Sequence, residues 1–200
     1  MHELFTKQIY GYTFCIYSVP NLEYEVQRMF MILEKMGEDM YVDGMQLNLG
    51  ITTYTLKVEA KRVIVLSPDY EANPFKDKTK NISLALWMQL HQLLFLQDYD
   101  IPSTTISFDT LVKYQEEAML EDDIYLTRSR ESDVFFVGVN DKEERETHTC
   151  YVYELLKKRS SLIKALSIPN GYVVFFHKAD IKIIFNGDNQ EVNPKTQLKH

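Results

Sequence analysis

The sequence predicts an α+β fold of two small domains, each a short, mostly antiparallel sheet with packed helices. Apolar residues recur at helical spacing in four segments, and three β-rich runs follow one another between residues 45 and 66. An acidic cluster at Glu121–Asp123 coincides with a change in local charge. We therefore predict a first domain over residues 1–121, a second over 122–191, and a flexible tail over 192–200.

The segment Asn81–Gln97 is apolar nearly all round, a pattern typical of a buried helix or a membrane span. Gln89 and His91 interrupt it, and a span requires about 20 mostly apolar residues. We therefore predict a central core helix with Asn81 as its N-cap. Trp87 and His91 lie four residues apart and share a helix face, which predicts a core tryptophan beside a hydrogen-bonded histidine.

Four strands and two further helices are predicted in the first domain. The strands are β-rich or alternate between apolar and polar residues, and they cover Tyr12–Ser18, Met45–Asn48, Thr52–Val58 and Arg62–Leu66. One helix begins at Asn21 and ends before Gly37, which suits the C′ position. The other is predicted at Phe108–Leu120, where apolar residues fall at helical spacing.

The second domain reads as two strands, a charged loop, a helix and a hairpin. The helix is predicted at Tyr151–Leu166, and the charged loop before it at Asn140–Thr149. The predicted strands are Ile124–Thr127, Val134–Val139, Tyr172–His177 and Ile181–Phe185.

The net charge of −7 is uneven along the chain. Residues 1–121 carry 17 acidic and 10 basic side chains, whereas residues 122–200 carry 12 of each. An acidic surface repels phosphate backbones and anionic membranes, so we expect neither nucleic acid nor membrane as a partner. The charge suits a basic protein partner, and it also suits solubility alone.

Cys15 and Cys150 both lie among apolar and aromatic residues, and neither belongs to a CxxC pair. Two buried, reduced thiols are typical of a cytoplasmic protein. The first twenty residues lack a basic segment before their short apolar run, so we do not expect a signal peptide.

No motif for a cofactor, a metal ion or a known catalytic site occurs in the sequence. GxGxxG, GxxxxGK[ST], HExxH and GxSxG are all missing, so we predict no cofactor, no metal site and no catalytic residue. The nearest approach to a nucleophile is His148-Thr149-Cys150, since residues two apart on a strand share a face. An uncharacterised hydrolase or transferase that uses acidic residues and His148 therefore stays open as an alternative.

The predicted partner-binding residues lie in the charged loop of the second domain. They are Asp141, Glu143, Glu144 and Glu146. Charges at the rim of an interface mainly steer association, so this loop suits contact with a basic protein.

The second domain resembles the immunity protein 33 domain, a family formerly of unknown function that occurs beside bacterial polymorphic toxins. The similarity lies in FFVG at Phe135–Gly138, in Val152 and Leu155, in SLIKAL at Ser161–Leu166 and in PNG at Pro169–Gly171. The resemblance implies a non-enzymatic protein that binds and blocks a toxin, with no catalytic residue. The expected function is therefore a cytoplasmic immunity protein whose partner is a basic toxin; its oligomeric state stays open.

Overall fold

The computed structural model describes residues 2–141, 143 and 145–195. The chain forms two compact units, Met1–Leu90 and His91–His200. Each unit contains one sheet, and three α-helices are distributed along the described chain. The predicted α+β fold is confirmed.

The first unit contains a mixed sheet with strand order β1-β2-β5-β4-β3, and β6 pairs with β5. Its strands are β1 Glu3–Ile9, β2 Tyr12–Ser18, β3 Gln46–Leu49, β4 Thr52–Glu59, β5 Arg62–Pro68 and β6 Lys78–Thr79. Helix α1 (Glu23–Met36) buries Val26, Met29 and Leu33 on one side, as its apolar spacing predicts.

Strand β1 was not predicted from the sequence. It lies at the sheet edge, and most of its side chains are exposed, so its apolar signal is weak. Its hairpin with β2 turns through Tyr10 and Gly11, both with positive φ. Two such residues suit a type I′ turn, whose twist matches that of the flanking strands.

Helix α2 (Ser83–Tyr99) matches the predicted central helix, and the division between the units falls within it. The Asn81 Oδ1 accepts a hydrogen bond from the backbone N–H of Ser83 at 3.2 Å. The first helical hydrogen bond runs from the Leu86 N–H to the Ile82 carbonyl, so the N-cap is Ile82, one residue after the predicted Asn81. Trp87 and His91 are half-buried rather than fully buried, so the prediction of a core tryptophan is wrong. In the same turn of the helix, Leu86 and Met88 are the buried residues.

No helix among the described residues is long and apolar enough to cross a membrane.

The second unit contains a sheet with strand order β10-β7-β9-β8-β11-β12, in which only β7 and β9 are parallel. Its strands are β7 Leu111–Gln115, β8 Asp123–Arg128, β9 Phe135–Val139, β10 Thr147–Tyr151, β11 Val173–His177 and β12 Asp180–Phe185. Helix α3 (Val152–Arg159) continues into a 3-10 helix at Ser160–Ala165, so the predicted helix Tyr151–Leu166 is two elements.

The helix predicted at Phe108–Leu120 is wrong. Its centre is strand β7, and a 3-10 helix follows at Glu116–Met119. Val112 and Tyr114 are buried between exposed Leu111 and Lys113, an alternation with a period of two. Pairing with β9 and β10 satisfies the backbone of this segment and overrides its local helical pattern.

The same pairing bears on the predicted domain boundary. Strand β7 belongs to one sheet with β8–β12, so Glu121 and Asp122 form a connection within the second unit and Asp123 begins β8. The compact units divide instead between Leu90 and His91. A charge shift along the chain marks no break in packing here, because surface charge and core contacts are set by different residues.

Candidate functional site: an aromatic sheet face beside an acidic loop

The sheet of the second unit has two chemically different faces. Side chains on its inner face are fully buried, among them Leu126, Phe135, Val137 and Val174. On the opposite face four aromatic side chains are only half-buried, so part of each ring reaches solvent. We call these four the aromatic face: Tyr125, Phe136, Phe175 and Phe185.

The strand register brings the four rings together. Tyr125 pairs with Phe175 across β8 and β11, and their ring centroids lie 6.0 Å apart. Phe136 on β9 lies 5.8 Å from the Tyr125 ring, and Phe185 on β12 meets Phe175 edge-on at 6.1 Å. Aromatic pairs at such distances stabilise each other beyond simple area burial. The result is a continuous row of rings across four strands.

Gly138 provides the space for two of these rings. It lies opposite Tyr125 in the β8–β9 register. A β-carbon at Gly138 would lie 2.7 Å from a Phe136 ring carbon and 2.9 Å from the Tyr125 ring. A side chain at Gly138 would therefore push both rings away from their present positions.

The predicted acidic loop follows β9 directly. The guanidinium of Arg145 donates to Asp141 at 2.5 Å and to Glu143 at 3.1 Å, and lies 3.7 Å from Glu117. The Arg145 interaction, with the backbone N–H of Glu143, lowers the pKa of Asp141. The structure thus brings together two of the predicted residues around one arginine.

The other two predicted residues do not join this cluster. Glu146 is exposed just before β10, and Glu144 lies outside the described residues. Arg145 brings one positive charge against the two carboxylates of Asp141 and Glu143, so this cluster stays negative, and the exposed Glu146 adds to that charge.

The acidic loop and the aromatic face are neighbours. Asp141 follows β9 by two residues, and the last residue of β9, Val139, pairs with Ile124 next to Tyr125. Burial raises the pKa of Tyr125, and the negative charge of Asp141 raises it further. At the same end of the face, Asp123 binds His177 Nδ1 at 2.9 Å. An apolar surface with acidic groups at one end is suited to a partner that presents both apolar and basic side chains.

The His148–Cys150 pair does not form an activated nucleophile. Strand β10 places both residues toward the same side, opposite Tyr114 and Val112, as the spacing predicts. His148 is exposed, while Cys150 is buried. Burial, with help from Glu154, raises the pKa of the Cys150 thiol to about 11, whereas a nucleophilic cysteine requires a lowered value.

The aromatic face was not predicted from the sequence, although a signal for it exists. Each of its four residues lies in a strand that was predicted. The neighbouring positions in that strand, which face the core, are apolar as well. Strands that are apolar on both faces read as continuous runs, so the pattern does not distinguish core from surface. The register alone shows which aromatic residues lie together.

Among the described residues, no group of three His, Cys, Asp or Glu side chains could hold a metal ion. Comparison of the chain with protein-family models, with curated proteins and with solved structures found no match.

Proposed function

We propose that this chain is a cytoplasmic, non-enzymatic immunity protein that binds a basic bacterial toxin through its aromatic face. The observation that carries the proposal is the row of four partly exposed rings on one sheet face, with the acidic loop continuing from β9 at one end of that face. Aromatic residues are enriched in protein interfaces, where they bury large areas at low entropic cost.

The chemistry of the partner follows from the charges at the end of this face. Lysine and arginine side chains pack favourably over aromatic rings, and nearby carboxylates strengthen that attraction. Asp123 and Asp141 provide such carboxylates, and Glu143 and Glu146 extend the negative charge outward. A basic partner with an apolar contact surface therefore fits both parts of the site.

The resemblance to the immunity protein 33 domain supports the toxin as partner. Two of the motifs that carry the resemblance have a structural role in this fold. The FFVG motif contributes Phe136 to the aromatic face and Gly138 beneath the rings. In the PNG turn, Gly171 has a φ of +82° and donates its N–H to the Arg128 carbonyl at 2.7 Å. The alternative, a hydrolase or transferase that uses acidic residues and His148, is supported less well, because His148 is exposed and its neighbour Cys150 is a buried, protonated thiol.

The test begins with capture of proteins from the source cell on the immobilised chain and identification of the bound protein. We expect a basic protein that arrests growth when expressed alone and not when expressed together with this chain. The doubly substituted chain with Phe136→Ser and Phe175→Ser should bind at least tenfold more weakly and lose protection, since central aromatic residues dominate interface energy.

A matched control is Tyr24→Ser, which removes an aromatic ring that is 75% exposed in the first unit. It should bind and protect like the unchanged chain, and thermal unfolding should show that every variant folds. A captured protein without toxicity, or unchanged binding after loss of Phe136 and Phe175, contradicts the proposal.

A further inference from the structure

A groove of about 450 Å³ lies in the second unit, along the C-terminal half of α2. The helix contributes residues spaced three and four apart, which form one face. They include His91, Leu94 and Phe95, and the opposite wall consists of Lys164, Asp180 and Ile181. The volume falls within the range of small-molecule sites, and the mixture of apolar walls with a few polar groups is typical of them.

Lys164 is the half-buried amine of this groove. The 3-10 helix at Ser160–Ala165 positions it, and its Nζ donates to the Ala179 carbonyl at 2.7 Å. The same nitrogen lies 5.9 Å from the centre of the buried Phe176 ring. Burial lowers the pKa of the Lys164 ammonium, and Asp180 only partly opposes this. A larger share of Lys164 is therefore a neutral amine than for an exposed lysine.

His91 lies in the same groove and is half-buried. Burial lowers the pKa of its imidazole, and the positive charge of Lys164 lowers it further. A histidine that is neutral near pH 7 is able to accept and return a proton. The groove thus combines an amine, a proton-exchanging group and the apolar surface of Leu94, Phe95 and Ile181.

We propose that this groove binds a small aldehyde with an apolar body and holds it as an imine on Lys164. The Nζ lone pair attacks the carbonyl carbon, and the C=O π electrons move to oxygen. Two N–H protons of the amine are then lost, and the carbonyl oxygen leaves as water with two protons. His91 and Asp180 line the same groove, and we assign the transfer of these protons to them. No oxidant or reductant is required, since imine formation is a condensation.

A neutral carbonyl compound fits the charges of the groove better than a carboxylate does. Asp98 and Asp180 both line the groove and oppose an anion, while Lys164 is the one lysine among the described residues that line it. An aldehyde carries no charge to be repelled, and its aromatic or aliphatic body packs against the apolar wall.

The experiment incubates the whole chain with benzaldehyde and sodium cyanoborohydride at pH 7. Hydride reduces any imine to a stable N-benzyl-lysine, and peptide mass spectrometry then measures each site. Lys178 and Lys182 on the adjoining hairpin are exposed internal controls. We expect Lys164 to be modified at least tenfold faster than either of them. If accessibility alone governs the reaction, Lys182 reacts as fast or faster, and the proposal is overturned.

Two variants complete the test. Leu94→Arg adds a bulky cation at a side chain that is 44% exposed in the groove, so it should slow modification of Lys164 and leave Lys182 unaffected. Lys164→Arg should remove the fast-reacting site and leave the rates at the exposed lysines unchanged. Equal modification of Lys164 in the Leu94→Arg chain would show that the groove does not bind the aldehyde. None of these outcomes depends on whether a partner protein is found.

Discussion

Gly138 faces Tyr125 across the β8–β9 pair, and a β-carbon at Gly138 would lie 2.9 Å from the tyrosine ring. This relationship links a backbone position of the second sheet to the surface that we propose for binding. The absence of a side chain leaves room for the rings of Tyr125 and Phe136 close to the strand. It makes Gly138 a sensitive point at which to disturb the aromatic face without changing a ring.

Gly138→Ala should displace Tyr125 and Phe136 outward and weaken partner binding more than it weakens the fold. The expected loss in the free energy of unfolding is about 1 kcal/mol, at the low end for an inserted methyl group because ring ends are able to tilt away. Urea unfolding measures the stability, and calorimetric titration measures the affinity.

Gly187→Ala is the matched control for this substitution. A β-carbon there would meet only the Asn170 carbonyl oxygen, at an ordinary 3.5 Å. Stability and affinity should both be unchanged. If Gly138→Ala changes stability and affinity no more than Gly187→Ala does, the positions of the Tyr125 and Phe136 rings do not depend on the glycine.

Replacing Glu143, Glu144 and Glu146 by Gln should slow association with the partner more than it speeds dissociation. Long-range attraction raises association rates and is screened by salt, with a Debye length of about 8 Å at physiological ionic strength. Stopped-flow association rates at low and high salt, for the unchanged and substituted chains, measure the effect.

The control for the acidic loop makes the same charge change elsewhere. Glu3, Glu23 and Glu71 are exposed in the first unit. Their replacement by Gln should alter the rate less than the loop substitutions do. The opposite order would move the steering charge to the first unit, and a rate indifferent to salt would remove steering altogether.

Cys150 should react very slowly with iodoacetamide in the folded protein at pH 7. Its pKa of about 11 leaves almost no thiolate, and burial limits access. Because the folded value lies above that of a free thiol, the labelling rate should still be rising with pH at pH 10 as long as the fold persists, whereas the rate of the unfolded chain should level off at a lower pH. Mass spectrometry of the Cys150 peptide follows the reaction, and the urea-unfolded chain gives the reference rate. Fast labelling at pH 7 would revive the nucleophile interpretation.

Two leucines of helix α2 should differ strongly in their contribution to stability. Leu86 is 1% exposed, whereas Leu94 is 44% exposed. Leu86→Ala should lower the free energy of unfolding by about 2–5 kcal/mol, because it removes buried methyl groups and leaves a cavity. Leu94→Ala should cost less than about 1 kcal/mol. Urea unfolding of both variants measures the difference, and equal losses would show that the burial of this helix is misassigned.

Local patterns were sufficient where an element was long or strongly periodic. Helix α2 was predicted to within two residues at each end, because its segment is a long and nearly uninterrupted run of apolar residues. The alternation at Thr52–Val58 and the hairpin ending at Phe185 also appear where predicted. The composition of the acidic loop and the two free cysteines can be read directly from the chain.

What only the tertiary structure decided is which residues meet. Strand β7 has apolar spacing compatible with a helix, and pairing with two strands distant in sequence makes it extended. Sheet register gathers Tyr125, Phe136 and Phe175 from three strands, and no local pattern encodes that meeting. The physical reason is that helical and strand periodicity arise within one segment, whereas strand pairing is a contact between segments whose energy no single segment contains.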